Sequence, residues 1–472
     1  MSGLFTALNT SVTALQAHSL AVQITGKNLA NVNNTSYSRE RVLYGTGATV
    51  VTPEGAQSLG VTATVQQLRD TLIDAQVNDE SSLSNYYTTI QTAYERAQAG
   101  LGENLTGAAA TSSTSSSVSN NGVGAALDDF FNAFQTFAAS PTDTGARQAL
   151  YSSASILTDR LQQSDSRLSQ VQTDLNSQVG SDVTTANGLL QTIADLNSQI
   201  GRVEINAPGS AVDLRDQRQA AIEKLAAIMP VKVTPSSAGQ VTVSAVDGSG
   251  AAVDLVTLGT VQGTLAFNGT QITGGASGTV LALKSGTIQG ALDARDGAIQ
   301  TLRDQLDNLA KQLVTSVNGV YNPSGASTNF FTAGGTTAGT ISLASTLTAT
   351  NLRASNGGSA GDNDVALGIA NLATKTFSTA GTPPDAIDGT LSSFYGGTIT
   401  TFGQALSSAN TSVSNQSSIE TLVRSQRDSV SGVSIDEEMS DLIKYQRAFQ
   451  ASSRVFQMVD TLLDNVVNHL GN

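Results

Sequence analysis

Apolar side chains near the start of the chain recur every three or four residues, the spacing of an amphipathic helix. Two small residues, Ser19 and Gly26, occupy the remaining positions of this stripe. A seven-residue repeat of this kind predicts a helix with one narrow apolar seam, which a neighbouring helix can approach closely at the small residues. The apolar members of the stripe are Phe5, Leu8, Val12, Leu15, Val22 and Leu29.

The far end of the chain carries a matching heptad pattern. A helix over residues 436–470 would be roughly 50 Å long at 1.5 Å per residue. Ser434, followed three residues later by Glu437, is typical of a helix start. Two helices with one apolar seam each most simply pair with each other. The C-terminal seam consists of Leu442, Tyr445, Phe449, Ser452, Phe456, Val459, Leu463, Val466 and Leu470.

The chain between these helices alternates between extended and helical patterns. Residues 36–66 are predicted to be extended, since apolar and polar side chains alternate along their last part. The Ser/Thr-rich residues 106–121 are typical of a loop or linker. Gly180 and Gly188 are candidate points for bending or dividing the longest helix. The internal helical patterns lie at residues 83–94, 150–200 and 288–313.

Two segments interrupt the helical patterns. Residues 230–285 contain short Val/Thr/Leu runs between Gly-containing turns, which predicts a small β module. Residues 326–399 are rich in Gly, Thr, Ser and Ala and predict a second, looser insertion. The expected fold class is therefore mainly α with β insertions, a discontinuous scaffold of long coiled-coil-like helices closed by both chain termini. The expected domains are a terminal paired-helix assembly domain (1–35 with 432–472), a long-helix scaffold (36–229 with 286–325 and 400–431), a β insertion (230–285) and a Gly/Thr-rich outer insertion (326–399).

The composition favours a protein with a neutral, hydrogen-bonding surface. Charged residues are 13% of the 472, against roughly a quarter in ordinary soluble proteins. Such a surface suits burial against identical neighbours, and it also suits a secreted protein with no such contacts. A net charge of −14 without a Lys/Arg-rich run argues against nucleic acid or anionic membrane as a partner. The absence of cysteine excludes disulfides and thiolate sites.

The N-terminal segment does not have the pattern of a cleavable secretory signal. Its first basic residue is Lys27, and it lacks a continuous apolar core. No stretch of the sequence reaches the roughly 18 consecutive apolar residues of a membrane helix. If the protein leaves the cell, we therefore expect a route that does not need a cleavable signal.

Residues suited to catalysis are scarce. The two histidines, His18 and His469, lie in the terminal heptad helices, and the sequence contains no zinc, phosphate-loop or nucleophile-elbow motif. Adjacent acids occur at Asp128-Asp129 and at residues 436–438. Neighbours on a helix point about 100° apart, so we interpret residues 436–438 as first-turn charges that complement the helix dipole. We expect no enzyme activity, no metal site and no cofactor.

The heptad seams have two possible interpretations. They can form the internal core of a helical hairpin with no partner implied. Alternatively, because these helices lie outside every other predicted module, they can also form contacts between subunits. We favour the second interpretation.

Two motifs resemble those of flagellar axial proteins. Residues 29–39 (LANVNNTSYSR) resemble the signature shared by flagellar rod, hook and hook-associated proteins, although Ser36 stands where that signature usually carries Gly. Residues 431–451 (SGVSIDEEMSDLIKYQRAFQA) are similar, more specifically, to the hook-associated protein 1 family. Further resemblance lies at residues 60–76, 213–218 (DLRDQR) and 290–296 (GALDARD).

The resemblance implies a structural adaptor between the flagellar hook and the filament. It implies export through the flagellar type III apparatus, an extracellular location and assembly into a homo-oligomeric ring. The implied partners are the hook protein, the second hook–filament junction protein and an export chaperone on the C-terminal helix. The expected interface consists of Leu8, Val12, Leu15, Val22, Leu29, Asn31, Tyr37 and Arg39, together with Leu442, Tyr445, Phe449, Phe456, Val459 and Leu463.

Three alternatives remain. A hook or distal-rod protein shares the terminal helices, but the long helical scaffold and the motif at residues 431–451 argue against it. A secreted adhesin would use the two insertions as binding surfaces and would not need terminal heptads. An extracellular hydrolase is disfavoured by the lack of catalytic residue patterns.

Overall fold

A computed structural model describes residues 2–47, 49–52, 55–58, 60–102, 122–325, 327–357, 359 and 361–468. The chain divides into two compact units. The predicted loop at residues 106–121, together with His469 and Leu470, lies outside the described residues. Unit 1 comprises Met1–Ser84, Asp182–Gly286 and Gln416–Asn472, and unit 2 comprises Asn85–Ser181 and Thr287–Asn415.

The fold is mainly helical with small antiparallel sheets, which confirms the predicted fold class. A turn of π-helix, Arg295–Ile299, lies within the predicted helix at residues 288–313 and joins its two α-helical parts. The helices are α1 (Ser2–Ala30), α2 (Thr71–Leu101), α3 (Val123–Ala139), α4 (Thr144–Glu204), α5 (Val212–Ile228), α6 (Gly286–Ala294), α7 (Gln300–Tyr321), α8 (Asp364–Ala370), α9 (Leu391–Ser431) and α10 (Ile435–Asn468).

Helix α4 runs unbroken through Gly180 and Gly188. Gly180 and Gly188 do not divide the helix, contrary to the suggestion from sequence. Each glycine costs only about 1 kcal/mol relative to alanine in a helix. The buried residues Val179, Val183 and Leu190 continue the apolar seam past these positions. Tertiary packing therefore outweighs the local preference.

Among its described residues, unit 1 contains four small antiparallel sheets. β1 pairs with β4, with Val42 opposite Val65, and β2 pairs with β3. The larger sheet has the order β5-β6-β7-β8, and a three-stranded sheet has the order β11-β10-β9. The strands are β1 (Glu40–Thr46), β2 (Thr49–Thr52), β3 (Gly55–Ser58), β4 (Val61–Gln67), β5 (Lys232–Pro235), β6 (Val241–Val246), β7 (Ala252–Thr257), β8 (Thr260–Val261), β9 (Ala266–Phe267), β10 (Ile272–Gly274) and β11 (Thr279–Val280).

A small apolar core joins α1 to the β1–β4 pair and to α10. Ala21 and Ile24 of α1 are buried with Val42 of β1, and Tyr445 of α10 packs against this cluster. The C-terminal part of α1 thus lies beside the first turns of α10. The two terminal helices contact each other in an antiparallel arrangement.

Unit 2 contains an aromatic cluster that includes part of the second insertion. Phe330 and Phe331 are fully buried, and their ring centroids lie 5.0 Å apart. They contact Phe130 and Phe134 of α3, whose rings are also separated by 5.0 Å. Within the described part of residues 326–399, strand-like pairing is limited to isolated bridges. Turn-forming Gly, Ser and Thr explain the lack of strands there, while the two phenylalanines anchor the segment.

Candidate assembly interface

The deepest line of α1 is formed mainly by small and polar side chains. Ser11, Ala17, Ala21, Ile24 and Asn28 are all buried. Alanines allow a neighbouring backbone to approach closely, so they occupy the tightest part of the contact. The predicted apolar stripe flanks this line and is half-buried at Leu8, Val12, Leu15, Val22 and Leu29.

Most of the residues predicted for the seam of α10 are half-buried, like the predicted stripe of α1. Val459 is buried. Phe449 differs from the other predicted residues because it is 40% exposed, while the adjacent Ala448 is half-buried. The remaining predicted residues, which are all half-buried, are Leu442, Tyr445, Phe456 and Leu463.

Asn28 connects the two ends of the chain at the base of the helix pair. Its side chain is only 1% exposed. Its Nδ2 donates to the Glu40 carbonyl at 2.8 Å and to Glu438 Oε2 at 3.0 Å. Its Oδ1 accepts from the Tyr37 hydroxyl at 2.7 Å and from the Glu40 backbone N–H at 3.0 Å. One buried amide therefore has its hydrogen-bonding capacity filled by groups from both termini.

Arg39 forms a second connection between the termini. Its Nε donates to Glu438 Oε1 at 2.7 Å, and its Nη1 donates to Glu437 Oε2 at 2.6 Å. Its backbone N–H donates to the Ser431 carbonyl at 2.8 Å. We call Asn28, Tyr37, Arg39, Glu40 and Glu438 the polar clasp. Glu437 and Glu438 do lie in the first turn of α10, but their partner is Arg39, which the helix-dipole interpretation from sequence did not include.

Glu40 carries a buried charge in the clasp. Lys27 Nζ lies 2.7 Å from Glu40 Oε1 and 2.5 Å from Asp213 Oδ1. Burial raises the pKa of Glu40, and Lys27 opposes this increase. Burial and the nearby carboxylates also raise the pKa of the Tyr37 phenol, which holds it in its donating form. Breaking such a buried, paired network from one side is costly.

A second group of charges lies beside the clasp in unit 1. Arg69 Nη2 donates to Asp216 Oδ1 at 2.7 Å, and Gln67 Nε2 donates to the same oxygen at 2.5 Å. Arg427 of α9 donates to the Thr35 carbonyl at 2.8 Å and pairs with Glu223 at 2.9 Å. The motifs at residues 29–39, 213–218 and 431–451 therefore meet in one polar region.

The turn after α1 explains how serine is accommodated in the N-terminal motif. Asn31 Nδ2 donates to the Lys27 carbonyl at 2.9 Å and closes the last turn. The backbone N–H of Ser36 donates to Asn34 Oδ1 at 3.2 Å. Ser36 does not have a positive φ, so a glycine is not required at this position.

The interface predicted from sequence included Asn31, Tyr37 and Arg39 but not Lys27, Asn28 and Glu40. The available signal was a Lys-Asn pair in the last turn of a helix that otherwise has no charged residue. The predicted partner of α1 was an apolar seam, so this polar pair was not assigned to it. Sequence spacing does not show that the carboxylate of Glu438 lies next to Asn28.

The described part of the chain shows no arrangement suited to metal chemistry. No group of three or more His, Asp or Glu side chains among these residues lies close enough together to hold a metal ion. His18 stands beside Tyr44, with Nδ1 3.4 Å from the phenol oxygen. No helix in the same residues is long and apolar enough to span a membrane.

We expect replacing Asp216 with asparagine to flatten the pH dependence of stability between pH 4 and 6. Burial raises the pKa of Asp216 to about 6. The positive charge of Arg69 lowers this pKa, and the negative charge of Glu40 raises it further. The folded chain therefore binds this proton more tightly than the unfolded chain. The protonated Asp216 carboxyl therefore stabilises the fold below about pH 4, and this stabilisation is lost as the pH rises through about 6. The loss in the free energy of unfolding is on the order of 2–3 kcal/mol at most.

Urea unfolding of wild type, Asp216→Asn and Asp254→Asn at several pH values measures this effect. Asp254 is an exposed carboxylate of the same unit and serves as the matched control. The wild type and the control should lose stability between pH 4 and 6, whereas Asp216→Asn should lose less. Parallel pH profiles for all three proteins would contradict the assignment to Asp216.

Comparison with known proteins gives two family matches. Residues 108–331 match the model for the flagellar hook-associated protein FlgK helical domain. Residues 424–469 match the model for the flagellar basal body rod FlgEFG protein C-terminal region. The flagellar hook-associated protein 1 of Bacillus subtilis (strain 168) is 26% identical over 100% of this chain and 99% of its own length. Over its whole length, the chain is therefore similar to flagellar hook-associated protein 1.

Other members of the family align over a shorter region. The flagellar hook-associated protein 1 of Salmonella typhimurium is 27% identical over 51% of this chain and 41% of its own length. A solved structure of the flagellar hook junction protein FlgK from Burkholderia pseudomallei is 25% identical. It covers 52% of this chain and 43% of its own, with a TM-score of 0.43. The C-terminal match includes α10 and its Arg39-binding carboxylates, and the helical-domain match is the one specific to hook-associated proteins.

Proposed function

We propose that this chain is a non-catalytic structural subunit that joins the flagellar hook to the filament, and that it assembles through its paired terminal helices. The similarity to flagellar hook-associated protein 1 over the whole chain, together with the match to the hook-associated helical-domain model, supports the position in the flagellum. The polar clasp supports the mode of assembly. Asn28 and Arg39 bind Glu438 from the opposite end of the chain, so both termini must be present for the interface to form.

The partners follow from this role. We infer a homo-oligomeric ring with the hook protein on one side and the second hook–filament junction protein on the other. Export through the flagellar type III apparatus would deliver the chain to an extracellular position, with a chaperone covering α10 beforehand. An apolar surface remains on α10 to support such contacts, since Ile443, Val455 and Met458 are all at least half exposed.

Electron microscopy of cells lacking the gene, combined with an assay for flagellin in the medium, tests the proposal. Hooks should remain intact, filaments should be missing and soluble flagellin should appear outside the cell. A plasmid copy of the intact gene should restore filaments. Missing hooks would instead place the protein in the rod or hook, and normal filaments would overturn the proposal.

A further inference from the structure

A deep groove in unit 1 lies apart from the paired seam of the terminal helices. It has a volume of about 1110 Å³ and is lined by β4, the start of α2, α5 and the first strands of the larger sheet. Its floor includes apolar side chains such as Val65, Ile222 and Val233. At its rim Leu72 is 68% exposed. The size of the groove and its exposed apolar rim are typical of a surface that receives another chain.

Arg218 is a buried cation in the wall of this groove. The residue is only 8% exposed. Its Nη1 donates to Asn197 Oδ1 and to the Gly239 carbonyl, both at 2.8 Å. Among the described residues Arg218 forms no ion pair, and its two acceptors, Asn197 and Gly239, both bind Nη1 and leave Nε and Nη2 free. A guanidinium normally binds a carboxylate through two parallel N–H donors, and here that pair of donors is left available.

The neighbouring acids do not neutralise Arg218. Glu204 is occupied by Arg215, whose Nε lies 2.8 Å from Oε1 and whose Nη2 lies 2.5 Å from Oε2. Asp74 and Asp216 both pair with Arg69. Burial lowers the pKa of Arg218 to about 10, and the positive charges of Arg215 and Arg69 add to this effect. The guanidinium therefore stays charged at neutral pH and lacks a counter-ion.

Two further polar groups in the groove lack partners among the described residues. Asn78 is 4% exposed, and its side-chain oxygen Oδ1 accepts no hydrogen bond there. Arg69 Nε is likewise buried without an acceptor. Both residues line the groove together with Arg218. Asn78 Oδ1 lacks a donor and Arg69 Nε lacks an acceptor, so the wall of the groove contains unsatisfied groups of both kinds.

The strand edges along the groove suit an extended peptide. The consecutive residues 64–67 of β4 line the groove, which indicates that the edge of this strand borders it, because one face would present alternate residues only. In the described residues β4 pairs with β1 alone, and β5 pairs with β6 alone. Free backbone groups on such edges can bind an added strand, while side-chain pockets supply specificity.

We propose that this groove receives an extended acidic segment of a neighbouring flagellar subunit, whose carboxylate binds Arg218. The inference adds a second contact to the terminal helix pair and rests on the proposed assembly into the flagellum. The carboxylate takes the free Nε and Nη2 donors of Arg218. The peptide backbone lies along β4 and its apolar side chains contact Leu72.

Site-specific photocrosslinking in assembled flagella tests the proposal. The full-length chain carrying p-benzoylphenylalanine in place of Leu72 is expressed in the deletion strain, and purified flagella are irradiated and analysed by mass spectrometry. We expect an adduct between this chain and a neighbouring subunit, with Asp or Glu within about three residues of the crosslinked position, since a strand advances about 3.3 Å per residue.

Charge substitutions then test the role of Arg218. In the crosslinking background, Arg218→Gln should lower the adduct yield about tenfold, which corresponds to the loss of about 1.4 kcal/mol. Arg202→Gln removes one exposed charge from the same unit outside the groove and should keep the yield. If Arg218→Gln does not reach the flagellum, neutralising the mapped carboxylate of the partner to its amide should lower the yield in the same way.

Several outcomes would overturn the proposal. These are an adduct within the same chain, an adduct on a segment without Asp or Glu, and a yield unchanged by Arg218→Gln. Normal filaments without any adduct would also overturn the acidic-segment proposal while leaving the proposed junction function intact. Loss of filaments in the deletion strain tests that function separately.

Discussion

The variant Ile24→Asp should be absent from assembled flagella. Ile24 is buried in the apolar cluster with Ala21 and Val42, next to Tyr445 of α10. A carboxylate at this position would have no cation in the cluster, so the cost combines lost apolar burial with an unpaired charge, about 4 kcal/mol or more. That is a large part of the about 5–15 kcal/mol that holds a typical domain together. The packing of α1 against α10 should therefore be lost.

The adjacent position offers a matched control for this prediction. Gln23 is exposed on the same turn of α1, so Gln23→Asp introduces the same charge without burying it. Immunoblots of purified flagella and counts of filaments by electron microscopy measure incorporation. Gln23→Asp should assemble normally and Ile24→Asp should not. Equal incorporation of the two variants would mean that the α1–α10 packing is not needed for assembly.

The variant Asn28→Ala should also assemble poorly, for a different reason. It removes a side chain that forms four hydrogen bonds and leaves the Glu40 N–H and the Tyr37 hydroxyl without their acceptor. Leaving buried polar groups unsatisfied costs about 1–3 kcal/mol each. We expect the total loss to reach several kcal/mol, because these groups share one network.

Asn33→Ala provides the comparison for this second prediction. Asn33 is an exposed residue of the turn that follows α1, and the substitution removes the same amide. Motility on soft agar and the filament number per cell should fall in Asn28→Ala and remain normal in Asn33→Ala. The Arg39–Glu438 pair is still intact in Asn28→Ala, so a residual level of filaments is expected. Wild-type motility in Asn28→Ala would contradict a role for the clasp in assembly.

The terminal helices could be predicted well because their signal is local. Apolar residues repeated every seven positions predict a helix without any knowledge of its neighbours in the fold. The helices predicted at Leu8–Leu29 and Leu442–Leu463 are confirmed by α1 and α10. The same reasoning located the short strands of residues 232–280. Gly180 and Gly188 were candidate points for bending or dividing the longest helix, and α4 is not divided at either of them. Helix propensity is a local preference, and the packing of the buried residues on both sides of these glycines outweighs it.

The burial of residues on the terminal helices was predicted only in part. The stripe of larger apolar residues on α1 could be recognised from sequence, but the most deeply buried line of that helix runs through Ala17 and Ala21. Alanine is only weakly hydrophobic, so it contributes little to a hydrophobic pattern. Phe449 fits the heptad and is nevertheless partly exposed. Periodicity shows which face of a helix is apolar. How closely the partner backbone approaches each position depends on side-chain volume on both helices.

The sequence by itself determined the helical architecture, the seams and the family resemblance, because each is written in residues that lie close together along the chain. The tertiary structure decided the polar contacts, because a polar side chain does not show from sequence whether it is buried or what it binds. Asn28 and Glu438 are 410 positions apart and still share a hydrogen bond. Arg218 lies in a motif visible in the sequence, but only the folded chain leaves its guanidinium in the groove without a carboxylate partner among the described residues.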